Sequence, residues 1–191
     1  MRLFVAIEPP ASVLTELAAA IEPLQAAAPE LRWTNRTAWH LTLAFLGDVD
    51  AAVLPELTAR LERAARRHPP QLLAIEGAGA FPSPIRARVL WAGIRADNRA
   101  LASLAASVAA GARRAGAPPP DEGRKYRAHL TLARCRQPAN VAGLTAALAG
   151  IATTAWTARS VHLIHSVLGG REPRYDDVGE WPLVAAAGAG T

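Results

Sequence analysis

The stretch HLTLA stands at residues 40–44 (His40-Leu41-Thr42-Leu43-Ala44) and again at residues 129–133 (His129-Leu130-Thr131-Leu132-Ala133). The chain has 5 histidines, so two of them share one five-residue setting. On a β-strand successive side chains alternate faces. His40 and Thr42 therefore share one face while Leu41 and Leu43 turn into the core; His129 and Thr131 are arranged likewise against Leu130 and Leu132. Each strand presents an imidazole and a hydroxyl as neighbours on a rigid platform, which holds catalytic geometry better than a loop does.

The surroundings of the two copies also match. Ahead of the first lies the β-prone run Arg2-Leu3-Phe4-Val5-Ala6-Ile7, and ahead of the second Arg88-Val89-Leu90-Trp91-Ala92-Gly93-Ile94. Each run is followed by a helical pattern. Val13, Leu17, Ile21 and Leu24 recur at helical spacing with Ser12 as N-cap candidate; Leu101, Leu104 and Val108 do so behind Asp97 or Asn98, and the pattern fades at Gly111 to Gly116. After each HLTLA strand comes a second helix, marked by Leu54, Leu57 and Leu61 behind Asp50, and by Leu144, Leu148 and Ile151 behind Asn140. A further strand closes each half, at residues 72–75 and 160–168. The order β-α-β-α-β is thus written twice, with a seam near residues 77–87 (GAGAFPSPIRA). This predicts a single α+β domain over residues 1–191. Two pseudo-twofold-related lobes, about 1–80 and 85–183, carry mainly antiparallel sheets around a central groove. Pro118, Pro119 and Pro120 with Asp121, Glu122 and Gly123 read as an exposed loop, and residues 184–191 as a frayed tail.

Composition narrows the function classes. With 51% hydrophobic and 19% charged residues over 191 positions, a packed core is expected and global disorder is not. The formal charge of +5, carried almost wholly by arginine, suits a polyanionic partner such as RNA, although an Arg-rich composition alone does not require one. The single cysteine, Cys135, excludes an internal disulfide and any multi-cysteine metal site. The apolar start ends at Glu8-Pro9-Pro10, too soon for a signal peptide, and no apolar run reaches membrane-spanning length. A soluble cytoplasmic monomer with no membrane contact is expected.

Two imidazoles and two hydroxyls across a groove suggest metal binding first. Zinc takes three or four protein ligands, and neither an HExxH motif nor a carboxylate at fixed spacing accompanies these histidines. In-line displacement at phosphorus fits better. One neutral imidazole takes a proton from the attacking water, and the other, protonated, gives one to the leaving oxygen. An imidazole pKa near 6.5 allows both states near neutrality. The threonine hydroxyls can donate to the non-bridging oxygens. No metal or cofactor is called for.

At this point the residues resemble a known family. Two His-x-Thr motifs in a duplicated chain, with RLFVAIEPP, WHLTLAFLGDV, the RVLW strand, RKYRAHLTLAR and SVHLIHSVL followed by Arg174-Tyr175, look like the 2H phosphoesterases, and most closely the LigT-like RNA 2′,3′-cyclic phosphodiesterases. The resemblance implies hydrolysis of a 2′,3′-cyclic phosphate at an RNA 3′ end to a 2′-phosphate. It implies His40 as proton donor to the 3′ oxygen, His129 as proton acceptor from water, and Thr42 and Thr131 as phosphate ligands. Five residues after each histidine the family places an aromatic in the first motif and an Arg in the second, matched here by Phe45, suited to stacking a base, and Arg134, suited to pairing with phosphate. Both occupy odd-numbered steps from their histidine, so the roles implied by the resemblance require a bend or bulge that turns them inward. The chain departs from many relatives in having Ala128 where they have Pro before the second motif, and His165 where they have Arg in the last strand.

Tyr126 and Arg127, with Arg124 and Lys125, lead into the second motif and are candidate RNA contacts; Trp33, Arg32 and Arg36 form a weaker set before the first. His68 reads as structural, His162 and His165 face opposite ways, and Trp39, Trp91, Trp156 and Trp181 read as core. Alternative readings keep the machinery but change the substrate to a small cyclic nucleotide or a 2′-5′ linkage, with reversible 2′-5′ ligation. A non-catalytic RNA-binding module is a third reading.

Overall fold

A computed structural model describes residues 1–120, 125–167, 169 and 173–185; Asp121, Glu122, Gly123, Arg124, Leu168 and the end of the tail, 186–191, lie outside the described residues. The first half runs β1 (Arg2–Ile7), α1 (Ala11–Ala27), a two-residue β2 (Arg32–Trp33), β3 (Leu41–Asp48), α2 (Leu54–Ala65) and β4 (Gln71–Phe81). The second half repeats the order with β5 (Ala87–Arg95), α3 (Asn98–Arg114), β6 (His129–Ala139), α4 (Ala142–Ala147), β7 (Trp156–Ala158), β8 (Ser160–Val167) and β9 (Arg174–Pro182).

Every strand pairing is antiparallel. One sheet has the order β3-β1-β8-β9 and the other β2-β6-β5-β4-β7. The correspondence of β3-β1-β8-β9 with β6-β5-β4-β7 is the pseudo-twofold relation that the duplicated sequence predicts. The sheets do not, however, follow the division at residues 80–85. β4, from the first half, lies beside β5, and β8, from the second, lies beside β1. The short link across Ser83 makes β4 and β5 neighbours, as consecutive strands usually are. The matching place beside β1 is then filled by β8, so each lobe borrows its third strand from the other half.

One of the two predicted caps is present, and similar local contacts stand just ahead of both second helices. Asp97 accepts from the backbone N–H groups of Arg99 and Ala100 at the start of α3. Asp50 accepts from Ala52 N–H ahead of α2, and Asn140 from Ala142 N–H at α4. Ser12 is not a cap: α1 begins one residue before it, with the extended Pro10 at the N-cap position. The main core runs from Leu3 to Leu183, and a smaller cluster of Phe4, Ala6 and Ile164 packs with Phe45 and Tyr175. The main core includes the fully buried Leu57 and Leu61 of α2 and Leu101, Leu104 and Val108 of α3, each such side chain contributing about 1.5–3 kcal/mol by burial. α2 and α3 pack on one another, α3 also reaches β3, and β3 meets β6. Among the described residues, no helix is long and apolar enough to cross a membrane.

Candidate active site

The two HLTLA segments carry the same irregularity. Against β1, Thr42 pairs with Ala6 and Ala44 with Val5, so Leu43 is an extra residue. Against β5, Thr131 pairs with Trp91 and Ala133 with Leu90, so Leu132 is extra in the same way. A bulge reverses the face of everything beyond it. Burial follows: Leu41, Leu43 and Ala44 are buried while Thr42 and Phe45 are not, and Leu130, Leu132 and Ala133 are buried while Thr131 and Arg134 are not. Phe45 therefore shares a face with Thr42, and Arg134 with Thr131, as the odd spacing demanded.

His40 precedes the first residue of β3 and lies flat on Phe4, ring centroids 4.6 Å apart, with the Tyr175 ring edge-on at 5.1 Å. Burial among these rings pushes its pKa down to about 4. Among the described residues no polar group pairs with its ring.

His129 opens β6. Its Nδ1 lies 2.7 Å from the carbonyl oxygen of Arg127. A carbonyl only accepts, so Nδ1 carries the proton and the neutral ring presents a lone pair on Nε2. Phe81 meets the ring edge-on at 5.0 Å, and Trp91 stands at 6.2 Å. Burial lowers the pKa of His129, the Arg127 carbonyl opposes that, and the Arg134 and Arg127 guanidinium groups lower it further. β3 meets β6, and Tyr126, three residues before His129, reaches the Thr42 carbonyl, so the two motifs approach each other from opposite sheets.

A groove of about 910 Å³ runs past Thr42, Phe45, Phe81, Tyr126, Arg127 and His129. His40 does not line that groove; it lines a second hollow of about 430 Å³, together with Trp39, Arg36, Arg174 and Tyr175. Arg127 stacks over Phe81 and Trp91, with its guanidinium 5.7 and 5.9 Å from their ring centres, and Arg2 covers Phe45 at 5.0 Å. No group of three or more His, Cys, Asp or Glu side chains suited to a metal ion occurs among the described residues.

A family model described as LigT-like phosphoesterase matches residues 7–91 and 94–175. The chain belongs to the LigT-like phosphoesterase family. It is 28% identical to the RNA 2′,3′-cyclic phosphodiesterase of Archaeoglobus fulgidus over 179 residues, 93% of this chain and 98% of that one. It is 34% identical to the Escherichia coli protein of the same name over 136 residues, 70% and 71% of the two chains. Its fold superposes on the crystal structure of E. coli LigT complexed with 3′-AMP with a TM-score of 0.75, at 27% identity and covering 96% of this chain and 98% of that one.

Within this LigT-like chain the other expected residues separate into two groups. Tyr126 lines the groove, but its hydroxyl donates to the backbone carbonyl of Thr42 at 3.2 Å, and burial raises its pKa. Arg36 is committed to Ala11 O and to Thr15 Oγ1. His68 pairs with Ser107 Oγ at 2.8 Å and does not line the groove. His162 contacts Asp177 and Ser160. Trp39 and Trp156 are core residues and Trp181 packs against the core. Trp91, expected in the core, instead stands beside His129. The sequence reading also passed over Phe4, Phe81 and Tyr175 as supports of the two imidazoles. The available signal was register: Phe4 pairs with Phe45, and Trp91 with Thr131.

Proposed function

We propose that this chain hydrolyses the 2′,3′-cyclic phosphate at RNA 3′ ends, leaving a 2′-phosphate, as a metal-independent, monomeric cytoplasmic enzyme. The observation that carries the reading is the fixed tautomer of His129, whose free Nε2 suits it to accept a proton from water. Attack on phosphorus opposite the 3′ oxygen then needs an acid on the far side, a role we assign to His40. Burial against Phe4 and Tyr175 keeps His40 neutral near neutral pH. An anionic phosphodiester brought against it favours the imidazolium and raises its pKa, so substrate loads the acid. Thr42 and Thr131 donate to the non-bridging oxygens, Arg134 balances their charge, Phe45 stacks a base, and Tyr126 and Arg127 flank the entering strand. The names and nucleotide complex of the relatives support this substrate class.

The test is product analysis with a dinucleotide ending in a 2′,3′-cyclic phosphate, with and without a chelator. A 2′-phosphate product at a rate unaffected by chelator is expected. A 3′-phosphate product, or activity retained without both histidines, would falsify the mechanism. Faster turnover of a small cyclic nucleotide or of a 2′-5′-linked dinucleotide would move the assignment to those substrates.

A further inference from the structure

The two motifs are tied to each other by a reciprocal pair of hydrogen bonds that the acid–base chemistry does not use. Thr34 follows β2, which lies against β6 through Arg32–Arg134 and Trp33–Ala133. Its N–H donates to Leu132 O at 2.8 Å, and its hydroxyl lies 2.7 Å from Thr131 O and 2.9 Å from Leu132 O. These two carbonyls belong to the bulge of the second motif. The same hydroxyl accepts from the indole N–H of Trp39 at 3.0 Å, and Trp39 is the buried residue immediately before His40. In the opposite direction, Tyr126, three residues before His129, donates to Thr42 O at 3.2 Å. The carbonyl of each motif's threonine therefore receives a side-chain donor from the segment leading into the other motif.

We propose that Thr34 and Tyr126 are positioning residues that hold the two His-x-Thr motifs in register across the groove. The proposal rests on reading His40 and His129 as the acid–base pair. The bulge at Leu132 fixes where the Thr131 hydroxyl and Arg134 stand, and a bulge has a ladder interruption whose carbonyls need outside partners. Thr34 supplies that partner and, through Trp39, ties it to the chain entering His40. Tyr126 does the same for the first bulge from the other side. A change at one motif is thereby felt at the other, which suits a reaction in which two protons move at opposite flanks of one phosphorus.

The test uses Thr34→Val, Thr34→Ser, Tyr126→Phe and the Thr34→Val/Tyr126→Phe double variant. Steady-state rates on a cyclic-ended dinucleotide, thermal unfolding and the imidazole C–H spectra of the five histidines are measured. Loss of registry acts on the transition state, so kcat is expected to fall about tenfold to a hundredfold in Thr34→Val. KM should change by less than about threefold, and Thr34→Ser should recover most of the rate. The His40 and His129 signals should move while that of His68 stays in place. Wild-type kcat and unmoved His40 and His129 signals in folded Thr34→Val would overturn the proposal, as would a rate loss that only follows the folded fraction. If Thr34→Val does not fold, Tyr126→Phe is judged by the same criteria. If the wild type does not turn over the cyclic-ended substrate, the functional reading fails. The histidine spectra then decide the positioning role alone.

Discussion

The two copies of HLTLA share their letters and their bulge, yet their imidazoles live in different surroundings. His129 has a backbone acceptor for Nδ1 and two guanidinium groups nearby, while His40 is sandwiched by Phe4 and Tyr175. The floors beneath them are also different. Across one sheet the row reads Thr131, Trp91, Gly79; across the other it reads Thr42, Ala6, His162. One step further, Val89 faces Arg134 where Phe4 faces Phe45. Large and small residues have changed places between the halves. The backbone device that aims the side chains is common to both motifs, while the neighbouring strands give the two imidazoles different surroundings.

The comparison is broken most severely by removing either ring. General acid–base groups contribute about 10²–10⁴-fold, and His40→Ala and His129→Ala should each lower kcat/KM for a cyclic-ended dinucleotide by that much with the circular dichroism unchanged. The double variant should lose little more than the worse single one, because either half-site alone cannot complete both proton transfers. Fully additive losses would show that the two rings act independently.

A smaller effect separates the two rings by proton binding in the fold itself. His40 has its pKa lowered from 6.5 to about 4, so between those values the unfolded chain binds more protons than the folded one, and stability falls as pH drops. The stability lost on acidification from about pH 6.5 to 4 amounts to about 3 kcal/mol for a group with this shift. Urea unfolding of wild type and His40→Gln across that window should show a weaker acid dependence in the variant. His129→Gln should change it in the same direction, since burial lowers that pKa too. The free-enzyme profile of kcat/KM should peak on the acid side of pH 6.5, and that of kcat at higher pH, because bound phosphate favours the charged form of His40.

Much of this arrangement was legible in the order of residues, for identifiable reasons. Asp97, Asp50 and Asn140 mark helix starts because their carboxylate or amide oxygens satisfy local N–H groups, a contact within three residues. The need for a bend or bulge followed from the odd spacing of Phe45 and Arg134 together with the roles that the family resemblance implies for them. Strand exchange was not legible, since β4-β5 and β1-β8 partnership depends on which edges meet in space rather than on local pattern. β9, RYDDVGEWP, lacks a clean apolar alternation, and β2 has only two residues. Ser12 misled because the Pro9-Pro10 geometry starts the helix a residue earlier than the cap rule suggests. Trp91 misled because a large aromatic normally seeks the core. Here it lies over Gly79, where the absent side chain leaves room.

That room gives the next prediction. A Cβ on Gly79 would stand 2.2 Å from Cζ2 and 2.4 Å from Cη2 of Trp91, so Gly79→Ala must displace the indole that borders His129. Overpacking of this kind costs about 1–3 kcal/mol. Melting temperature and kcat should fall together, and Trp91→Phe in the Gly79→Ala background should recover part of both. Recovery of stability without recovery of rate would mean that the Trp91 ring is not a support for His129.

The smallest effect sharpens the contrast at the fifth position. The Arg134 charge adds to the burial that lowers the pKa of His129 and opposes the burial that raises that of Tyr175, while Phe45 carries no charge into the first motif. Arg134 is exposed, so solvent screens its influence and only a modest shift is expected. Arg134→Met keeps the length of the side chain but removes the charge; the pKa of His129 must then rise. The acid limb of the kcat/KM profile should move to higher pH. Phe45→Leu should leave that limb in place and raise KM instead, because stacking rather than charge is lost there. Raising the ionic strength should move the wild-type limb in the same direction as Arg134→Met. It should leave the Arg134→Met limb less affected, since the charge to be screened is already gone. An unmoved acid limb in Arg134→Met would separate Arg134 from His129 and leave the Arg127 carbonyl as the feature that distinguishes the second imidazole from the first.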